Sequence, residues 1–360
     1  MKRRRFLQLS PFASTAAITC SSSGADKAKK PKIKIGQIGV GHAHASGKMQ
    51  IYRELEDDYE VVGIVEPDDA LWAKAADHKA YQGLERLSAE KLFNTPGLQA
   101  VAVETQVADL LRYAELSVDA GMHVHLDKPA GTSLADFQRI MKKADGKGLT
   151  LQMGYMYRYN PAFLLLREFL ERGWLGEVFE VHAVMSKVIP AGSRAGLAKF
   201  DGGIMFELGC HIIDLVVSVL GKPDSVTPHV RHGADGFADN VLAVFAYPRA
   251  TATVRSSANE VEGFARRQFT VVGTHGSFHI QPLDRPGATI ALDQDRADGG
   301  ILKFRRGVQK IPFDPPYRRY LGDAIDLAAI IRGEKASDFP SSHDLVVQRC
   351  VLQAGGMAGE

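Results

Sequence analysis

The first half of the chain alternates strand-like and helix-like segments, and this alternation limits the fold more than any other feature. Short apolar runs that fit buried strands lie at 33–38, 60–65, 99–103, 122–126 and 149–153. Helical patterns separate them at 45–55, 107–120 and 133–144. Strands that alternate with helices form a parallel sheet covered by helices on both faces. We therefore predict an α/β protein that begins with such a sheet.

From Gly154 onward the pattern becomes that of an antiparallel sheet. After a helical stretch at 161–172, alternating strands bounded by turn residues follow at 177–184, 241–247, 250–256, 269–272 and 277–280. Helical stretches at 317–332 and 342–357 end the chain, and we expect them to pack back across the domains. A length of 360 residues suits two domains. We predict a first domain at 32–153 and an α/β domain at 154–360 with a large open, mainly antiparallel sheet.

The first 31 residues indicate an export signal and a linker. The sequence KRRRFLQ at 2–8 resembles the twin-arginine export signal, and a moderately apolar run follows at 9–18. Cys20 is a candidate for lipid attachment after cleavage. A disordered basic tail is the alternative, but we expect an exported, periplasmic protein.

Composition excludes several classes of protein. The formal net charge is only +2, and much of the basic excess lies in the first 32 residues, so we expect no nucleic-acid partner. No apolar run approaches the roughly 20 residues that span a bilayer, so we expect no transmembrane segment. Besides Cys20, the distant Cys210 and Cys350 form no disulfide framework.

A glycine turn follows the first strand. Gly39, Val40, Gly41 and His42 stand between that strand and a helix, where backbone and helix N-terminus can hold a pyrophosphate. Glu66 ends the second strand, where a carboxylate can hold a ribose diol. These features predict a Rossmann domain, and Glu66 favours NAD over NADP because it would repel a 2′-phosphate.

Two readings of this turn remain open. His44 occupies the place of the third glycine of the dinucleotide motif, and Glu66 could instead be an exposed turn acid. His42 and His44 could bind a metal, which we consider the weaker reading because a cation would compete with the phosphate site.

Lys128 is the first candidate for chemistry. It follows the apolar run that begins at Met122, and Pro129 removes a backbone donor, so the strand should end there. Ligands gather beyond the carboxyl ends of strands in such sheets. A lysine there can hold a hydroxyl or carbonyl oxygen, and we expect partial burial to lower its pKa. The alternative is a solvated lysine in a turn.

A second candidate lies in a helix predicted over 201–221, which is apolar nearly all round. Glu207, His211 and Asp214 stand at i, i+4 and i+7, on one stripe of this helix. Because unpaired buried charge is costly, the stripe should meet a polar cleft or a partner. A core histidine and a cation shared by Glu207 and His211 are alternatives, but we expect acid–base catalysis without a metal.

Four motifs together resemble the glucose-fructose oxidoreductase and inositol dehydrogenase family (Gfo/Idh/MocA). They are Ile38-Gly-Val-Gly41, Asp127-Lys128-Pro129, the segment Tyr157 to Pro161, and the spacing of Gly202 and Gly203 with Glu207, His211 and Asp214. The resemblance implies a Rossmann domain, a second domain with an open sheet, and oxidation or reduction of sugars, inositols or related polyols with NAD or NADP. The family lysine matches Lys128, and its paired acid and histidine match Glu207 and His211.

The chain departs from the family pattern at three places. Asp127 replaces a glutamate before Lys-Pro, and Glu207 replaces an aspartate. Residues 104–106 stand where Thr-Pro-Asn is common, with Thr105 as the candidate cofactor contact there. Lys128 should also contact the cofactor.

The resemblance suggests a division of roles. We expect His211 to take the hydroxyl proton, Lys128 to hold the reacting oxygen, and Glu207 or Asp214 to orient the histidine or bind neighbouring hydroxyls. Tyr157, Arg158 and Asn160 are candidate sugar contacts, although Arg158 could equally belong to a structural ion pair.

Three functions remain open at this point. The leading one is an NAD-dependent oxidoreductase of a carbohydrate, working without net redox change on a tightly held NAD. The others are an NAD-dependent glycoside hydrolase that forms a keto sugar and a non-catalytic nucleotide-binding sensor. Because edge strands of an open sheet invite a partner, we predict a homodimer or homotetramer through the second domain.

Overall fold

The computed structural model describes residues 30–300 and 302–357. The predicted export signal at 2–8 and the candidate lipid site Cys20 lie outside the described residues. Among these residues, the chain forms a parallel sheet followed by a larger, mainly antiparallel sheet. The predicted fold class is therefore confirmed.

The first sheet has five strands in the order β2-β1-β3-β4-β5, all parallel. They are β1 (Ile33–Ile38), β2 (Tyr59–Val65), β3 (Leu98–Val103), β4 (His123–Leu126) and β5 (Leu151–Met153). The helices between them are α1 (Ala45–Glu54), α2 (Asp69–Ala75), α3 (Ala89–Phe93), α4 (Leu110–Asp119) and α5 (Leu134–Gly146). The short α2 and α3 were not predicted, since together they bury one side chain, Leu92.

The second sheet has eight strands in the order β15-β12-β11-β10-β6-β9-β8-β7, and only β6 and β9 pair in parallel. Its strands are β6 (Val178–Val184), β7 (Ser225–His232), β8 (Ala238–Ala246), β9 (Thr251–Ser257), β10 (Gln268–Gly273), β11 (Gly276–Ile280), β12 (Ala288–Leu292) and β15 (Gly307–Ile311), with a separate β13 (Arg296–Ala297) and β14 (Lys303–Phe304) pair. The helices α6 (Pro161–Glu171) and α7 (Cys210–Leu220) precede or interrupt them. The edge strand β7 escaped prediction because it is polar and half exposed.

The two last helices connect the sheets. In α8 (Leu321–Ile331), Ala324 and Ala328 share an apolar core with Ile33 and Tyr52 of the first domain. In α9 (Ser341–Ala354), Gln348 donates from Nε2 to the carbonyl of Gly131 at 2.6 Å. In the described ranges, no helix combines the length and apolarity that a membrane crossing needs.

Candidate active site

β1 ends in a glycine turn whose backbone lies against the loop after β3. Gly39 has a φ of +93°, and a Cβ built on it would lie 2.5 Å from the backbone nitrogen of Thr105. At Gly41, a Cβ would lie 2.9 Å from Cγ of Gln106. The packing therefore requires both glycines, and the N-terminus of α1 follows the turn directly.

Glu66 supports this turn from the end of β2. Its Oε2 accepts a hydrogen bond from the backbone N–H of Val40 at 2.8 Å, and its Oε1 accepts one from Asp68 at 2.9 Å. The side chain is buried, so the reading as an exposed turn acid is wrong. Each carboxylate oxygen keeps a further lone pair for a ribose hydroxyl. The turn, the helix N-terminus and Glu66 fit the pyrophosphate and ribose of a nicotinamide dinucleotide.

Asp127, at the end of β4, receives both histidines of the turn. Its Oδ2 lies 2.7 Å from Nδ1 of His42 and 3.2 Å from Nδ1 of His44. Burial acts in the opposite direction, but the interactions with His42, Lys48 and His44 hold the pKa of Asp127 well below its usual value. Burial lowers the pKa of His44 to about 4, against the effect of Asp127, so this ring is neutral near pH 7.

Lys48 of α1 completes a buried polar cluster below the turn. Its Nζ lies 3.3 Å from Oε1 of Glu104 and 3.4 Å from Oδ2 of Asp127, and it contacts Nε2 of His125. His42, His44 and Asp127 are close enough to share a metal ion. The Lys48 ammonium already places a positive charge beside Asp127, which weakens the metal reading.

Lys128 points across the cleft to the segment that precedes α7. Its Nζ donates to the carbonyl oxygen of Glu207 at 2.7 Å and lies 3.6 Å from the Glu207 carboxylate. Burial lowers the pKa of Lys128, but Glu207, Cys210 and Asp127 outweigh it, so the pKa is raised. The expected lowering of this pKa is therefore wrong, because the buried ammonium has a carboxylate partner.

His211 lies in the first turn of α7 with its ring buried against three aromatic rings. The ring centroids lie 5.4 Å from Tyr157, 5.9 Å from His44 and 6.1 Å from Tyr155. Its Nδ1 has no hydrogen-bond partner among the described residues. Burial, with Lys128 and His44, lowers the pKa of His211 well below 6.5. The imidazole is therefore a neutral base at pH 7.

The prediction that Glu207, His211 and Asp214 lie on one stripe of a helix is wrong. A π-helical turn at Met205–Gly209 precedes α7 and changes the angular spacing between these residues. Asp214 instead accepts hydrogen bonds from Nε of Arg158 at 3.0 Å and from its terminal nitrogen at 2.6 Å. Arg158 also binds Asp344 of α9. Arg158 and Asp214 thus form a buried ion pair, and their prediction as sugar contacts is corrected.

Of the other two predicted sugar contacts, Asn160 has a structural role and Tyr157 lies beside His211. Asn160 caps α6 by accepting from the backbone N–H of Ala162 at 2.9 Å, and it donates to the carbonyl of Leu283 at 2.9 Å. Asn160 therefore positions the loop that carries Asp284, which is a structural role. Tyr157 lies beside His211, and its hydroxyl donates to Asp284 at 2.8 Å.

Sequence reasoning missed several polar residues of the cleft. They are Lys48, Lys187, Arg267, Asp284 and Arg319. Asp127 and His44 are 83 residues apart, and their contact depends on β4 lying beside the N-terminus of α1. The sequence marked this cluster at His44, which takes the place of the third glycine, and at the departures from the family pattern at Asp127 and at 104–106.

Known proteins resemble the chain over parts of its length. Uncharacterized oxidoreductase YhhX of Escherichia coli is 31% identical over 143 residues, which is 39% of this chain and 41% of YhhX. The scyllo-inositol 2-dehydrogenase (NADP(+)) IolW of Bacillus subtilis is 26% identical over 144 residues, or 39% of this chain and 40% of IolW. The chain thus spans less than half the length of these curated relatives.

A solved structure shares the fold over almost the whole chain. The aldose-aldose oxidoreductase of Caulobacter crescentus superposes with a TM-score of 0.73 at 17% identity, and the match covers 91% of this chain and 98% of that one. Two family models also match. "Oxidoreductase family, NAD-binding Rossmann fold" matches residues 33–155, and "GFO/IDH/MocA C-terminal domain" matches residues 163–279, together more than half of the chain. The chain therefore belongs to the GFO/IDH/MocA oxidoreductase family.

Proposed function

We propose that the protein is an NAD-dependent oxidoreductase acting on a hydroxyl group of a sugar, an inositol or a related polyol. The observation that carries this proposal is the neutral His211, whose Nδ1 lacks a partner and whose ring lies in the field of the charged Lys128. A base beside a cation suits removal of a hydroxyl proton. A non-catalytic sensor needs no such pair.

Bound NAD would supply the hydride acceptor. His211 takes the proton from the substrate hydroxyl, since its lone pair is free at neutral pH. Lys128 remains protonated because Glu207 raises its pKa, so it donates a hydrogen bond to the same oxygen and stabilises negative charge there. The Glu207 carboxylate, whose pKa Lys128 lowers against burial, stays ionised and fixes the lysine.

NAD is preferred over NADP in this proposal. The two backbone N–H groups that bind Glu66 hold its carboxylate at the ribose end of the site, where it would repel a 2′-phosphate. The relative IolW is an NADP enzyme by name, so direct titration of both nucleotides tests this point.

Replacement of His211 tests the proposal. We expect His211→Ala to lower kcat for a polyol substrate by about 10²- to 10⁴-fold with little change in NAD affinity. In the wild type, kcat/KM should stay level as the pH falls through 6.5, because the lowered pKa delays protonation of the base. The exposed His229→Ala serves as the control. Full activity of His211→Ala would remove the histidine as the base.

We also propose that the enzyme is exported and holds its NAD tightly through a redox-neutral cycle. Two reactions fit such a cycle: coupled conversion of two sugars, and glycoside cleavage through a keto sugar. The sequence at 2–8 supports export, and an exported enzyme has no nucleotide pool with which to exchange. Protein isolated from the periplasm without added nucleotide should carry NAD and convert glycosides or sugar pairs. Nucleotide-free protein that needs external NAD in stoichiometric amounts would contradict this.

A further inference from the structure

The cleft wall that faces Lys128 carries more positive than negative charge. The cations of this wall are Lys187, Arg267 and Arg319 and its carboxylate is Asp284, while Lys128 is paired with Glu207. We propose that this wall binds an anionic group of the substrate, a carboxylate or a phosphate, so that the substrate is a sugar acid or a sugar phosphate. This inference rests on the proposed function and names its substrate class.

Asp284 is shared by several donors. It accepts a hydrogen bond from the Tyr157 hydroxyl at 2.8 Å and from a terminal nitrogen of Arg267 at 2.9 Å, and it also binds Arg319. Arg267 is buried and also donates from Nε to the carbonyl of Ser186 at 3.2 Å. One carboxylate thus balances two guanidinium groups, which leaves positive charge at this end of the cleft.

Lys187 adds a second uncompensated cation. It follows β6, its side chain is partly buried, and the described part of the chain offers its ammonium no hydrogen-bond or ion-pair partner. The carbonyl of the preceding residue, Ser186, accepts the hydrogen bond from Arg267, and the Arg267 charge acts on Lys187. Burial lowers the pKa of Lys187, and Lys128, Arg267 and Arg319 lower it further against the opposing effect of Glu207. An anion arriving here would relieve this repulsion.

The positively charged wall lies close enough to His211 for one substrate molecule to contact both. The Tyr157 ring packs 5.4 Å from the His211 ring, while its hydroxyl reaches Asp284. A single tyrosine side chain therefore connects the proposed base to the charged wall. A neutral sugar would leave Lys187 without a partner, whereas a carboxylate or phosphate could take charge-assisted hydrogen bonds from Lys187 and Arg319.

Calorimetric titration of the NAD-loaded protein with matched sugars tests the inference. The pairs are D-glucose with D-glucuronate, D-galactose with D-galacturonate, and D-glucose with glucose 6-phosphate. In at least one pair, the anionic sugar should bind tenfold or more tightly, about 1.4 kcal/mol. Lys187→Met should reduce that preference at least fivefold, and Lys187→Arg should keep most of it. The control Lys142→Met, on the exposed face of α5, should leave it unchanged.

The outcomes separate this inference from the proposed function. The inference that the wall binds an anionic group would be overturned by equal affinity within every pair. It would also be overturned if Lys187→Met kept the preference for the anionic sugar. The pair that responds distinguishes a carboxylate ligand from a phosphate ligand. If neutral polyols reduce NAD and anionic sugars bind no more tightly, the proposed function is supported and the inference about an anionic substrate is rejected. Anion binding without reduction of NAD by any sugar would instead leave the binding site and remove the proposed reaction.

Discussion

Gly39 shows at the scale of one residue how the glycine turn depends on the absence of a side chain. Gly39→Ala should destabilise the protein by roughly 2–5 kcal/mol, because a left-handed φ and a contact of 2.5 Å with Thr105 act together. Gly83→Ala is the matched control, since Gly83 has a φ of +76° with nothing within 4 Å of its added Cβ. It should cost only about 1–2 kcal/mol. Urea unfolding of both variants measures the difference, and equal losses would show that the contact with Thr105 is unimportant.

At the scale of elements, the π-helical turn before α7 gives the nearby carboxylates Glu207 and Asp214 different cationic partners. It leaves Glu207 with Lys128 and turns Asp214 towards α9, where Arg158 joins Asp214 to Asp344. Arg158→Met should therefore destabilise the protein by about 3–5 kcal/mol, because it leaves two carboxylates buried without their cation.

The control for this prediction is a solvent-accessible ion pair at the C-terminal end of α6. Arg172, the residue that follows α6, lies 2.9 Å from Glu168, and the two side chains are 37% and 28% exposed, so Arg172→Met should cost less than about 1 kcal/mol. Chemical unfolding at neutral pH compares the variants. A loss for Arg158→Met no larger than that for Arg172→Met would mean that the buried ion pair contributes nothing particular to stability.

Across the whole molecule, the sequence was sufficient for the features that depend on periodicity and on local motifs. The parallel sheet, the later change to antiparallel strands and the placement of the glycine turn, Lys128 and His211 were all readable from spacing. The pairing of Asp127 with His44 and the partners of Arg158 were not, because they depend on contacts between elements far apart in the chain. Export and assembly as a dimer or tetramer stay predictions, with light scattering as the measurement for assembly.

The position of α8 has a consequence for how the protein is made. Ribosomes release a chain from its amino end, and domains generally begin to fold in that order. Here Ala324 and Ala328 complete a core that includes Ile33, and the Tyr59 hydroxyl donates to the carbonyl of Ala324 at 2.6 Å. Strands β1 and β2 therefore lack part of their core until α8 has been synthesised, so the nucleotide-binding half reaches its final packing only after residues far along the chain, in the 321–331 range, are available.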